Sequence, residues 1–435
     1  MAGGVAMTGT RIRSVRGRRV YDSRGRPTVE AEVLLDGGAR GRAMAPAGAS
    51  RGAREAIDLR DGGARFGGFG VDLAVANVQT LIAAALAGMD ALDQAGVDAA
   101  LIAADGTPNK ARLGGNATVA VSIAVAQAAA AAQHMPLWQH VAAGAAVSLP
   151  LPEVQIFGGG AHAGRRLDLQ DVMVMPIGAA SFDEGLQMVA EIYRAAGELM
   201  QARGALAGVA DEGGWWPAFD TNEQAIETLV RAIERAGFAP GSQVAIALDV
   251  AASQFGRGGK YKLALEDKEL DSDGMIKLLS GWIRRYPIVS IEDPLAEDDD
   301  VGFAAFTHEV GKRVQIIGDD FLVSQASRVR EAAVRNAANA VLLKPNQRGT
   351  LTETLDAWEA AEKAGFAGIV SARSGETEDV TIVHLAVGWG VGQIKVGSFA
   401  RGERMAKWNE ALRIEEALGA RARFAGGGVL GRSGK

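Results

Sequence analysis

Polar and apolar residues change their period twice along this chain. Residues 11–35 alternate in the manner of strands, with the turn YDSRGRP (21–27) between two of them. A glycine-rich polar stretch (36–70) follows, and helical spacing dominates from about 71 to 143. Strands first and helices afterwards predict a compact α+β domain. The texture changes at LPLPEVQIF (149–157), which brings two prolines and a short apolar strand. The domain boundary is placed there, dividing the chain into 1–147 and 148–435. Beyond it, short apolar runs alternate with helical segments such as 181–204, 222–237 and 349–365. Later strands are GIVSA (368–372) and QIKVG (393–397). The count reaches about eight strands, which fits a closed α/β barrel better than an open sheet. No dinucleotide glycine fingerprint follows a strand.

Composition narrows the functional classes. A chain of 435 residues accommodates one large barrel and a smaller domain. Its net charge of −6 argues against a nucleic-acid or anionic-membrane surface, both of which need a basic face. The cluster Arg11, Arg13, Arg16, Arg18 and Arg19 is a local exception, read as a solvated strand edge before a binding arm. The absence of cysteine excludes disulfides, thiolate metal sites and cysteine nucleophiles. No apolar signal core opens the chain, which points to a cytoplasmic protein. The run ATVAVSIAVAQAAAAA (117–132) is alanine-rich, short for a membrane span and interrupted by Thr118, Ser122 and Gln127, so a close-packed buried helix is expected. Residues 1–10 and 426–435 are expected to be loose tails.

The chemistry is concentrated at strand ends. VAIALD (244–249), PIVSIED (287–293), VQIIGDD (314–320) and VLLKP (341–345) place Asp249, Glu292, Asp319 and Lys344 at the close of successive apolar runs. Residues ending successive barrel strands converge on one mouth. One such acid is uninformative, but three with a following lysine describe oxygen ligands for Mg²⁺ beside a base. Such a lysine is expected to be pushed toward neutrality. Lys395, ending a later strand, is placed to neutralise developing charge. Arg373 and Ser374, on a strand-end turn, form a donor pair suited to phosphate; the alternative for Arg373 is a salt bridge to a neighbouring acid. His162 lies in a glycine-rich loop expected to cover the site, whereas His134, His140, His308 and His384 lack ligand spacing.

These segments resemble the enolase family. The resemblance runs from about 11 to 425 and rests on YDSRGRPTVE (21–30), GASRGAREA (48–56), HAG (162–164), VADEGG (209–214), SIEDP (290–294), GDD (318–320), LLKPNQ (342–347), RSGETED (373–379), GQIK (392–395) and LRIEE (412–416). It implies an α+β cap on a (β/α)8 barrel whose second strand is antiparallel. By the same resemblance Asp249, Glu292 and Asp319 bind one Mg²⁺, and Ser50 helps bind a second together with the substrate phosphate. Lys344 corresponds to the base acting at carbon 2 of 2-phosphoglycerate, and Lys395 to the lysine facing the substrate carboxylate. Arg373 and Ser374 correspond to phosphate binders, and Gln170 to a substrate-binding residue. Glu212 corresponds to the acid that assists loss of the 3-hydroxyl, with Asp171 and His162 beside it. A homodimer or larger homo-oligomer is implied too, with Glu30 and Arg413 at positions that pair across subunits; either is also read as an intramolecular ion pair.

Departures from the resemblance fall together. Asp171 stands where enolases carry a glutamate, and Ala372 where they carry a histidine. Gly158 and Ala161 replace more polar residues, Arg51 replaces a threonine, and Trp215 with Trp216 follows DEGG. The tryptophans are read either as core filling or as a reshaped pocket wall. Metal, base and phosphate groups are thus intact, while the side handling the leaving hydroxyl is altered. Three functions follow: a Mg²⁺-dependent enolase-type lyase on a phosphorylated three-carbon acid, a carboxyphosphonoenolpyruvate synthase of phosphonate antibiotic pathways, and a silent scaffold. The pattern points to retained enolate formation with a slowed or different second half-reaction; the alternative is neutral drift in an ordinary enolase, with His162 and Glu212 covering the losses.

Overall fold

The computed structural model describes residues 9–49 and 51–433. Strands β1 (Ile12–Tyr21), β2 (Pro27–Leu35) and β3 (Arg40–Met44) form an antiparallel sheet, as their alternation predicts. The turn between β1 and β2 closes on Asp22, whose carboxylate accepts from the backbone N–H groups of Arg24 and Arg26 at 2.9 Å. Behind this sheet lies the helix Gly115–Ala132, buried on almost every face. It is long and apolar enough to cross a membrane, but its small side chains are spent on packing inside the protein. Gly41 explains the fit: a Cβ there would stand 2.0 Å from the Ala124 carbonyl oxygen.

The remaining chain closes into a barrel. Its strands are β4 (Leu151–Gly158), β5 (Asp171–Met175), β6 (Ala245–Asp249), β10 (Ile288–Glu292), β11 (Gln315–Gly318), β12 (Ala340–Leu343), β13 (Ala367–Ser371) and β14 (Gln393–Ser398). A small meander, β7 (Gly256–Arg257), β8 (Lys260–Leu263) and β9 (Lys268–Asp271), is inserted after β6. Strand β5, the second of the barrel, runs antiparallel to both neighbours. The helices between strands cover the barrel with one large apolar core, and the cap has its own, to which the barrel lends Leu351 and Leu385.

The expected loose C-terminal tail is corrected in its described part. Residues Gly426–Ser433 form 3-10 turns. They are tied down because Gly427 N–H donates to the Ile177 carbonyl at 3.3 Å and Val429 packs with Met173 and Met175 at the barrel floor.

Candidate active site

Parallel strands of a barrel end on one rim, so the carboxylates and lysines at their ends are brought together from distant parts of the chain. Asp249 and Glu292 are the last residues of β6 and β10, Asp319 and Lys344 follow β11 and β12, and Lys395 lies within β14. Because β5 is antiparallel, its first residue, Asp171, reaches the same rim. Arg373 and Ser374 follow β13, His162 lies in the 3-10 turn Gly160–Ala163, and Glu212 in the loop before Trp215. His162, Gln170, Asp171, Glu212, Lys344, Arg373, Ser374 and Lys395 line one pocket with Ala372. Ser50 lies outside the described residues.

Lys395 Nζ stands 2.7 Å from Asp249 Oδ2, 2.8 Å from Glu292 Oε2 and 3.1 Å from Asp171 Oδ2. One ammonium therefore faces three carboxylates. Burial works to lower the Lys395 pKa, but Asp249, Glu292 and Asp171 together hold it well above the ordinary lysine value. Lys344 Nζ donates to Asp319 Oδ2 at 2.5 Å, and Gln347 donates to the other Asp319 oxygen at 2.8 Å. The expectation of a lysine drawn toward neutrality is corrected here. Burial pulls Lys344 down most strongly of any single cause, but the Asp319 and Glu292 carboxylates together hold its pKa above the ordinary lysine value.

The rim fits a divalent cation. Asp249 Oδ1 and Glu292 Oε1 are buried without a hydrogen-bond partner, a costly state for carboxylate oxygens unless an ion takes them up. Burial and the neighbouring Asp249 charge push Glu292 well above the usual carboxylate range, the sign of missing positive charge. Asp249, Glu292 and Asp319 do not themselves gather within 4.8 Å; among the described residues the groups that do are His162–Asp171–Glu212 and Asp293–Asp319–Asp320. Lys395 and Lys344 occupy the space on the trio, so cation entry requires the ammonium groups to give way.

At the Asp171 end of the pocket, His162 bridges two groups. Its Nδ1 lies 3.1 Å from Asp171 Oδ1 and its Nε2 lies 3.0 Å from Ser374 Oγ, with Glu212 Oε1 at 3.6 Å. Burial acts to lower the imidazole pKa, but Glu212 and Asp171 raise it above its ordinary value. Asp171 is buried too, yet Lys395 and then His162 hold its carboxyl well below the usual range. Ala372 contributes only a methyl group to the wall.

Arg373 is not open in this arrangement. Its guanidinium meets Glu55 at 3.1 and 3.2 Å and Asn346 Oδ1 at 3.0 Å. Trp215 and Trp216 do not line the pocket, correcting the idea of a reshaped wall. Trp215 stacks on Tyr193 with ring centroids 4.7 Å apart and packs on the barrel's outer core. Arg51 is exposed and approaches Asp58 at 3.9 Å. Glu30 and Arg413 each have a partner within the chain, Arg18 and Glu410 respectively.

Sequence reading missed Glu55, Gln155, Gln254 and Arg404. Gln155, on β4, accepts from Gly214 N–H at 2.8 Å and donates to Asp171 Oδ1, fastening the Glu212 loop to the pocket. Fully buried Arg404 donates to the carbonyls of Arg373, Ser374 and Val396 and so shapes the turn bearing the donor pair. Glu55 had a signal, since it lies within the GASRGAREA segment. Amides such as Gln155 carry none.

Comparison with known proteins agrees with this geometry along nearly the whole chain. Residues 12–141 match the family description "Enolase, N-terminal domain", and residues 146–432 match "Enolase, C-terminal TIM barrel domain". The chain is 47% identical over 431 residues to a protein named Enolase 1 from Desulfitobacterium hafniense (strain Y51), covering 98% of this chain and 99% of that one. With a barrel closed through an antiparallel second strand and acids and lysines gathered at its rim, this chain belongs to the enolase family and is a lyase of that superfamily.

Proposed function

We propose that this enzyme dehydrates 2-phosphoglycerate to phosphoenolpyruvate with Mg²⁺, and that its departures slow the second half of the reaction. The observation that carries the reading is the pair of buried ammonium groups, Lys395 and Lys344, set against Asp249, Glu292 and Asp319 with two carboxylate oxygens left over. A stable barrel has no need of such groups, and burying them costs free energy. That argues against a silent scaffold.

Asp249, Glu292 and Asp319 are the residues to hold the first Mg²⁺, and Ser50 is assigned to the second. Bound divalent cations stabilise the negative charge that accumulates on a carboxylate when the adjacent C–H ionises; enolase-superfamily sites are a standard instance of this pattern. Lys344, freed from Asp319 and deprotonated, takes the proton from carbon 2. Lys395 faces the substrate carboxylate. Arg373 exchanges Glu55 for the phosphate, with Ser374 beside it and Gln170 completing the contacts. Glu212 delivers a proton to the departing 3-hydroxyl. Asp171 and His162 set the charge around that acid. Residues 1–147 serve as the cap and 148–435 as the catalytic barrel.

The synthase reading loses two of its supports, because Trp215 and Trp216 lie outside the pocket and Arg51 points to Asp58. The simpler lyase is therefore retained. The test is to incubate the protein with 2-phosphoglycerate and Mg²⁺ in deuterium oxide and follow both phosphoenolpyruvate and carbon-2 exchange. Exchange that outruns product supports the proposal. Rapid product without excess exchange removes the slowed second step, and absence of both removes the activity.

A further inference from the structure

Between the His162 turn and the cation ligand Asp249 runs a chain of side-chain amides. Ala161 N–H donates to Gln254 Oε1 at 2.9 Å, Gln254 Nε2 donates to Gln170 Oε1, and Gln170 Nε2 donates to Asp249 Oδ2 at 2.8 Å. Its direction is fixed at both ends. A backbone N–H only donates and a carboxylate only accepts, so each amide between them has one allowed orientation. Gln254 lies in the turn Ala252–Gln254 directly after β6, and Gln170 directly before β5. Space is tight as well: a Cβ on Gly160 would stand 3.0 Å from both Gln254 Oε1 and the Gln170 Cα.

The chain engages only Asp249 Oδ2, which Lys395 also touches, and leaves Oδ1 without a partner. An ion taken up by Oδ1 therefore need not break it. We infer that Gln254 is a positioning residue that couples closure of the His162 turn to divalent-cation binding at Asp249. This rests on the proposed cation site. With the turn closed, the amides hold the Asp249 carboxylate in one rotamer, which lowers the ordering cost of binding an ion. By reciprocity the ion favours the closed turn to the same degree.

The turn carries its own reporter, since Arg165 is exposed and Arg166 half-buried at its tip. The test uses the full-length protein, Gln254→Glu and Gln254→Ala. Glutamate still accepts from Ala161 N–H but cannot donate to Gln170, so it cuts the chain while leaving the turn anchored. Mg²⁺ affinity is read by calorimetry, and trypsin cleavage at Arg165 and Arg166 is followed with and without Mg²⁺. The expected result is that Mg²⁺ slows cleavage of the unaltered protein, that both variants bind Mg²⁺ about 5-fold or more weakly, and that the metal no longer protects them. Unchanged affinity and protection in Gln254→Glu overturn the inference while leaving the cation site standing. Weaker binding with full protection also overturns it, because Gln254 then acts on Asp249 without coupling to the turn. If the unaltered protein binds no Mg²⁺, the cation site itself falls, and the inference with it.

Discussion

Glu153 sits on β4 opposite Lys395 of β14, sealed inside the barrel with neither carboxylate oxygen hydrogen-bonded. Burial pushes its pKa from 4.5 to about 7, with Lys395 offsetting only part of the rise. Between those values the folded chain keeps a proton that the unfolded chain has released. Its contribution to stability is thus fully present below about 4.5 and is lost as pH rises through about 7. The full cost at pH 8 is about 3 kcal/mol. Glu153→Gln should flatten this slope and raise stability at pH 8, read by urea unfolding across that range. At the rim, Lys344→Ala should cut carbon-2 exchange by about 10²–10⁴-fold, the usual contribution of a positioned base. The double change Asp171→Glu with Ala372→His should accelerate phosphoenolpyruvate formation while leaving that exchange nearly unchanged. An equal rise in both rates would show that the departures do not act on the leaving-group step.

Elements place these side chains through packing that tolerates little change. The helix Gly115–Ala132 approaches the cap sheet closely because alanines face Gly41, where a Cβ would meet backbone at 2.0 and 2.3 Å. Gly41→Val should cost more than about 3 kcal/mol, the upper part of the range for overpacked cores, measured as a fall in denaturation midpoint. The barrel strands were visible as short apolar runs, and so was the buried helix, since both patterns are local. The 3-10 turns at Gly426–Ser433 were not. Glycine-rich sequence carries no periodicity, and those turns form only because Ile177 and the barrel floor lie beside them.

Across the whole molecule the cap and the barrel share the substrate side of the site. Ala47 and Gly375 exchange backbone hydrogen bonds at 2.8 and 2.9 Å, and Met44 N–H donates to Asp379 at 3.1 Å, so the cap is laced to the turn bearing Arg373 and Ser374. Filling the rim with a cation should therefore stabilise the fold. Mg²⁺ at about 100 times its dissociation constant should add roughly 2.7 kcal/mol to unfolding, reversed by a chelator and read as a shift in Tm. No shift at any millimolar concentration would count against a built cation site.

Order along the chain was enough to reveal the alternating barrel, the acids and lysines at its strand ends and the family they resemble, because each signal spans only a few residues. Folding alone set who neutralises whom. Arg373 is met by Glu55 from 318 positions away, Lys395 is shared by three acids on three strands, and Gln254 reaches Asp249 through Gln170. The charge state of Lys344 belongs to that second class, since it depends on the distance to Asp319. Hydrophobic period is a property of neighbours in sequence, whereas electrostatic pairing falls off over ångströms in space, and only the closed barrel sets those distances.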